Sequence, residues 1–121
     1  MTITLSVREV LQNPVPFEKG FRLGVHGVLC LSYDVFYFYQ IDDTWNDSFC
    51  IDVVDPEAAS EVRRTLIENG LSSEYLGEAV IEAWTKIEAT RVVLRGVVTL
   101  RLHPDQKTEI FINVRPHPWG W

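Results

Sequence analysis

Apolar positions recur along this chain with two spacings, about 3.6 and 2, and each change of spacing marks a predicted element. Near the start, Val7, Val10 and Leu11 share one helical face. Ser6-Val7-Arg8-Glu9 has the form of a capping box, in which a serine hydroxyl serves the amide three residues on and a glutamate reaches back. Asn13-Pro14 ends this helix, because the residue before a proline is driven out of the helical region. The spacing then falls to two. Phe21, Leu23, Val25, Leu29 and Leu31 take one side of a predicted strand, and Arg22, His26 and Cys30 the other. Gly24 and Gly27 inside it predict a bend or bulge.

The stretch DVFYFYQIDDTW, residues 34 to 45, continues the two-residue alternation. Phenylalanine has no polar handle, whereas tyrosine covers a partly wet surface and keeps its hydroxyl hydrated. Phe36 and Phe38 are therefore expected inside, and Tyr37 and Tyr39 outside. Residues 42 to 47 are turn chemistry, and Ser48 to Val54 form the third strand, with Phe49, Ile51 and Val53 inward. Asp55-Pro56 is a helix start, a capping acid followed by a proline, and Gly70 is its stop. A second helix is expected from Ser72 or Ser73. Leu76, Ala79, Val80, Ala83 and Ile87 line its inner side, Glu74, Glu78 and Glu82 face solvent, and Glu82 and Lys86 form an i,i+4 pair. From Arg91 the alternation returns: Val92, Leu94, Val98, Leu100 and Leu102 against Arg91, Arg95, Thr99 and Arg101. Ile110, Ile112 and Val114 mark the last strand. RPHPWGW is too rich in proline and glycine for regular structure, and its Trp119 and Trp121 either fold back on the domain or dock a partner.

This order, a helix, three strands, two helices and two strands, predicts one domain spanning residues 1 to 121. The expected fold is mainly β: a five-stranded antiparallel OB-like barrel with an N-terminal helix and a two-helix insertion between strands three and four. The alternative is an α+β sandwich with the helices on one face of an antiparallel sheet. SVREVLQNP, followed by FEKGFRLGVHGVL, resembles the nucleic-acid-binding OB domains of the tRNA anticodon-binding type. In that family a helix leads through a proline and a glycine into a curved, glycine-containing first strand. The resemblance covers residues 6 to 31 and is topological beyond them. It implies a barrel that binds single-stranded nucleic acid. The chain departs from the family in its longer helical segment and its acidic middle.

Charge changes the picture further. The net charge is −6, but residues 42 to 88 carry twelve acids against three bases, and residues 89 to 121 five bases against two acids. That disfavours phosphate-backbone binding over the whole surface and suits a basic protein partner. No stretch approaches the ~20 apolar residues of a membrane helix. MTITLSVREV lacks a basic start followed by an apolar run, so a cytoplasmic location is expected, with Cys30 and Cys50 as thiols.

The candidate chemistry is sparse. His26, His103 and His117 lie in no catalytic signature, and no carboxylate spacing singles out an acid and a base. No catalytic residue, metal ligand or cofactor is assigned. Asp42, Asp43, Asn46 and Asp47 gather oxygen donors but lack the alternating spacing and central glycine of a calcium loop. Two binding surfaces remain. For a basic protein, Tyr37, Tyr39 and Trp45 are the anchors, and Asp42, Asp43 and Asp47 the rim. For a single strand, Tyr37 and Tyr39 stack bases while Arg22, Arg91, Arg95 and Arg101 pair phosphates. The favoured expectation is a non-catalytic protein-binding module, in its most concrete form an immunity-type inhibitor of a basic toxin. The alternative is a single-stranded nucleic-acid-binding OB protein.

Overall fold

The computed structural model describes residues 3–12, 22–33, 35–40, 50–88 and 91–114, with the backbone alone at Arg22. Among these lie seven strands and two helices: β1 (Thr4–Ser6), α1 (Val7–Gln12), β2 (Arg22–Leu31), β3 (Phe36–Tyr39), β4 (Cys50–Val53), α2 (Pro56–Glu68), β5 (Tyr75–Glu88), β6 (Arg91–Asp105) and β7 (Thr108–Asn113).

Five strands close on themselves. β2 pairs β3, β3 pairs β4, β4 pairs β6, β6 pairs β5, and β5 returns to β2 over Arg22–Leu31. The result is a closed five-strand barrel, compatible with an OB-like fold, and the β5–β2 pairing is what rules out an open sandwich. β1 and β7 lie outside the ring, on β2 and β6 respectively. The barrel is not antiparallel throughout: β4 runs parallel to β6, and β1 parallel to β2. The chain leaves β4 through α2, crosses on β5 and comes back along β6, so β6 meets β4 in the same direction.

The helix ends follow the local chemistry. Glu9 N donates to Ser6 Oγ at 3.1 Å and Ser6 N to Glu9 Oε1 at 2.9 Å, the reciprocal capping box. α2 starts after Asp55 with Pro56 in its first turn. It ends with Leu71 N on Leu66 O and Gly70 N on Ile67 O, while Gly70 takes φ +74°, the left-handed stop that favours glycine. Ala58, Ala59, Val62 and Leu66 carry α2 into the core.

Residues 73–87 do not form the expected second helix. Tyr75 to Glu88 are extended, with Tyr75, Ala79, Ile81, Ala83 and Thr85 buried at every second position. Ala79, Ala83 and Ile87 are four apart and share a face in either conformation. Ile81 separates the two. A helix that buries Ala79 and Ala83 turns Ile81 toward solvent, whereas the strand buries it fully. Pairing along both edges, with β2 and β6, overrides the helical propensity of the alanines and glutamates.

The expected bulge moves as well. β2 pairs without a register shift, and Gly27 serves close approach instead: a Cβ there would stand 2.5 Å from the Tyr39 carbonyl and 2.9 Å from Val7. Irregularities fall instead between β6 and β7, at Leu102/Asp105, and between β5 and β6, at Glu82/Trp84, where Gly96 adopts φ +58° against the Trp84 ring. The latter is a glycine-dependent bulge. The Val97 amide beside it donates to Asp55 Oδ2 at 2.8 Å, while Asp55 Oδ1 accepts from Ala58 N at 3.2 Å. One buried carboxylate thus joins the start of α2 to the bend in β6.

Candidate functional site

β2, β3 and β4 place Cys30, Tyr37 and Asp52 in one row on the outside of the barrel, with Val28, Tyr39 and Cys50 in the next. Strands lie ~4.8 Å apart, so Cys30 and Cys50, on either side of β3, are too distant for a disulfide. Both are free. The Tyr37 and Tyr39 rings meet edge to face, 4.9 Å between centroids at 89°. The hydrogen bond between their hydroxyls, then burial and the neighbouring Cys30, hold the Tyr37 phenol well above its ordinary pKa, so it stays neutral.

The outward parity of the two tyrosines does not keep both in solvent. Tyr37 is half-buried, but Tyr39 is only 7% exposed, flanked by Val28 and Cys50 and in edge-to-face contact with Tyr37. Phe38 is fully buried and Phe36 partly, against the core. Val98 and Leu100 are buried as expected. The other proposed anchors and rim residues, Trp45, Asp42, Asp43 and Asp47, lie outside the described residues, as do Trp119 and Trp121.

Of the four arginines expected to pair phosphates, the side chains of Arg91, Arg95 and Arg101 are described, and each has a partner. Arg95 forks onto Glu88, Nη2 to Oε1 at 2.8 Å and Nε to Oε2. Its hydrogen bond holds the Glu88 carboxyl below the usual value and raises the Arg95 guanidinium in turn. Arg91 reaches Asp52 Oδ2 at 3.1 Å, and Arg101 lies over Phe111, 5.8 Å from its ring centre. From 91 to 101 is roughly 33 Å along an extended strand. Arg22 opens β2 opposite Trp84, and its side chain is not described.

Beside Tyr37 the surface opens into a cleft of about 510 Å³, between the β2–β3 turn, the outside of β3 and β4, and the start of α2. Tyr33, Phe36, Tyr37, Asp52, Asp55 and Arg63 carry its chemistry. Its shape is held by named contacts. Ser32 N donates to Val35 O at 3.0 Å and closes the turn. Arg63 Nη2 donates to the carbonyls of Ser32 and Tyr33, at 2.7 and 3.0 Å, and ties the turn to α2. Tyr33 stands 93% exposed at the rim. Among the described residues, the exposed large apolar side chains include Tyr33 and Val54, both lining this cleft, as well as Ile67, Leu71 and Leu76.

Of these residues, sequence reasoning names only Tyr37 as a site. Tyr33, Asp52 and Arg63 come from a turn, a strand and a helix that meet only after closure. The one available signal was a tyrosine in a turn, where small polar residues are usual.

Elsewhere, His26 Nε2 lies 2.7 Å from Glu78 Oε1 and His103 Nε2 3.8 Å from Glu109 Oε1, both pairs on the surface. Among the described residues no cluster of three or more histidines, cysteines or carboxylates could hold a metal ion, and no helix is long and apolar enough to cross a membrane. Family models, curated proteins and solved structures give no match to this chain.

Proposed function

We propose that the chain is a non-catalytic protein-binding module whose partner is basic. The observation that carries this reading is the cleft: an open, aromatic-walled recess bordered by the Asp52 carboxylate and by exposed apolar side chains, on a chain of net charge −6. Aromatic anchors beside a charged rim are the usual composition of a protein interface. The concrete form we propose is an immunity-type inhibitor, an acidic cytoplasmic module that covers the cleft of a basic toxin.

The second reading is a single-stranded nucleic-acid binder, and the barrel topology favours it. Against it stand the arginines. Arg91 and Arg95 are paired with carboxylates and Arg101 is remote from the cleft, so among the described residues no row of free cations follows a backbone across Tyr37.

Capture from the source cell's extract, with and without nuclease, tests the choice. A protein captured in both conditions and lost on Tyr33→Ala supports the module. Micromolar, salt-sensitive binding of mixed single-stranded DNA or RNA that disappears on Arg95→Ala overturns it.

A further inference from the structure

The Asp52–Arg91 pair stands out among the ion pairs of this face. Arg91 is bound through one nitrogen to one oxygen, at 3.1 Å, and its side chain remains 66% exposed, with that of Asp52 at 40%. The contrast is Arg95, which engages both oxygens of Glu88. A single exposed contact of this kind is easily exchanged. Among the described residues lining the cleft, Asp52 is also the carboxylate with acceptor capacity to spare. Both oxygens of Asp55 already accept backbone N–H groups. The cation inside the cleft, Arg63, is committed to two carbonyls.

Asp52 and Tyr37 are cross-strand partners, so their Cβ atoms lie ~5 Å apart. A planar cation hydrogen-bonded to Asp52 therefore comes within the ~6 Å at which a ring face attracts it. Tyr33, fully in solvent across the cleft mouth, supplies a second ring. We propose that this cleft seats an arginine side chain of the partner, stacked on Tyr37 and Tyr33 and forked onto Asp52 in place of Arg91. Guanidinium suits the seat better than ammonium, because it both stacks and pairs bidentately with a carboxylate. Arg91 then acts as an internal placeholder that neutralises Asp52 until the partner arrives. This inference rests on the protein-binding reading and sharpens it.

The test is an amide-resolved NMR titration with a short blocked peptide of alternating glycine and arginine. Lysine and citrulline counterparts and a mixed single-stranded oligonucleotide run in parallel. The arginine peptide is expected to shift the amides of Tyr33, Tyr37 and Asp52, the lysine peptide to bind more weakly, and the citrulline peptide to leave them unmoved. Asp52→Asn is expected to weaken binding about tenfold or more, the loss of a charged hydrogen-bond partner. Arg91→Ala, and Arg91→Gln as a milder version, are expected to tighten it by about two- to fivefold, the worth of an exposed pair. A structural role for Arg91 predicts the opposite sign, so unchanged or weaker binding in both Arg91 variants overturns the proposal. So does an arginine peptide that shifts other surfaces only. If both peptide and oligonucleotide leave the cleft silent, the arginine seat fails and the protein-binding reading does not. If the oligonucleotide alone binds there, both fail.

Discussion

Asparagine at position 55 keeps the shape of the native side chain and removes one acceptor. Asp55 is 6% exposed, and its two oxygens accept N–H groups from segments 39 residues apart, Ala58 at the start of α2 and Val97 beside the β6 bulge. An amide side chain offers one oxygen and one NH2, so in Asp55→Asn one backbone donor faces another donor. If the oxygen turns to Val97, the cap is lost, at about 1 kcal/mol. If it turns to Ala58, a buried amide beside the bulge loses its acceptor, at about 1–3 kcal/mol. Asp55→Asn is therefore expected to destabilise by about 1–3 kcal/mol, and Asp55→Ala, which removes both acceptors, by about 2–4 kcal/mol.

Urea unfolding followed by circular dichroism measures both. With a slope of ~1.5 kcal/mol per molar, a loss of ~2 kcal/mol lowers the midpoint by ~1.3 M. Amide exchange at Val97 should accelerate more than global unfolding explains. An Asp55→Asn midpoint unchanged from wild type would refute the bridging role. So would an Asp55→Ala cost no larger than that of an ordinary exposed cap.

Three further outcomes follow from the same geometry. Phe38→Ala is expected to cost about 3–5 kcal/mol, and Tyr39→Ala, buried as it is, also more than about 2 kcal/mol; a denaturant melt in which Tyr39→Ala is neutral would place that ring in solvent. Gly27→Ala puts a carbon 2.5 Å from a backbone oxygen and should cost about 2–3 kcal/mol, against roughly 1 kcal/mol for Gly70→Ala, which meets open space and suffers only its positive φ; thermal melts rank the two. Glu88 is ordinarily a carboxyl near 4.5 and is held lower by Arg95, so its contribution to stability is present above that pH and lost as pH falls through the depressed folded value. Arg95→Gln should raise the Glu88 midpoint in an NMR titration and flatten the acid limb of the stability curve, and an unmoved midpoint would mean that the pair is not formed in solution.

Capping residues were the most legible part of the fold, because their chemistry is local. Ser6 with Glu9, Asp55 with Pro56, and Gly70 each act within a few residues of themselves, and each sits where it was expected. Strand parity was legible wherever large and polar residues alternate, as in β2 and the second half of β6. β5 was not, since alanines four apart satisfy both periods and its long exposed face is glutamate-rich. Gly77 and Thr85 inside the presumed helix, and Ile81 on its polar side, were the discordant residues. β1 is three residues long and exists through its parallel pairing with Thr4–Ser6 set against Gly24–His26, a partner no local pattern announces.

The candidate site was less legible than the fold for a reason that concerns closure itself. Parity assigns a side chain to the inside or outside of a strand, but not to solvent. Tyr37 and Tyr39 occupy equivalent outward positions on β3, and one is half-buried while the other is covered. What separates them is the neighbouring row: Cys30 and Asp52 beside Tyr37, Val28 and Cys50 beside Tyr39. Tyr37 and Asp52 line the cleft beside α2, whereas Tyr39 is covered. The cleft thus depends on Arg63 drawing the β2–β3 turn onto a helix 30 residues further along the chain, and on Asp55 locking that helix to β6. Loosening either tie should degrade the recess before it unfolds the barrel, because Tyr37 and Asp52 are held by strand pairing while Tyr33 is held by the turn and by Arg63. Arg63→Ala is the cleaner test. Expected is a near-native melting curve, with faster amide exchange confined to residues 32–35 and a weakened response of the Tyr33 amide to the arginine peptide. If the Arg63→Ala protein exchanges and binds as wild type does, the turn is rigid by itself and the helix has no part in shaping the cleft.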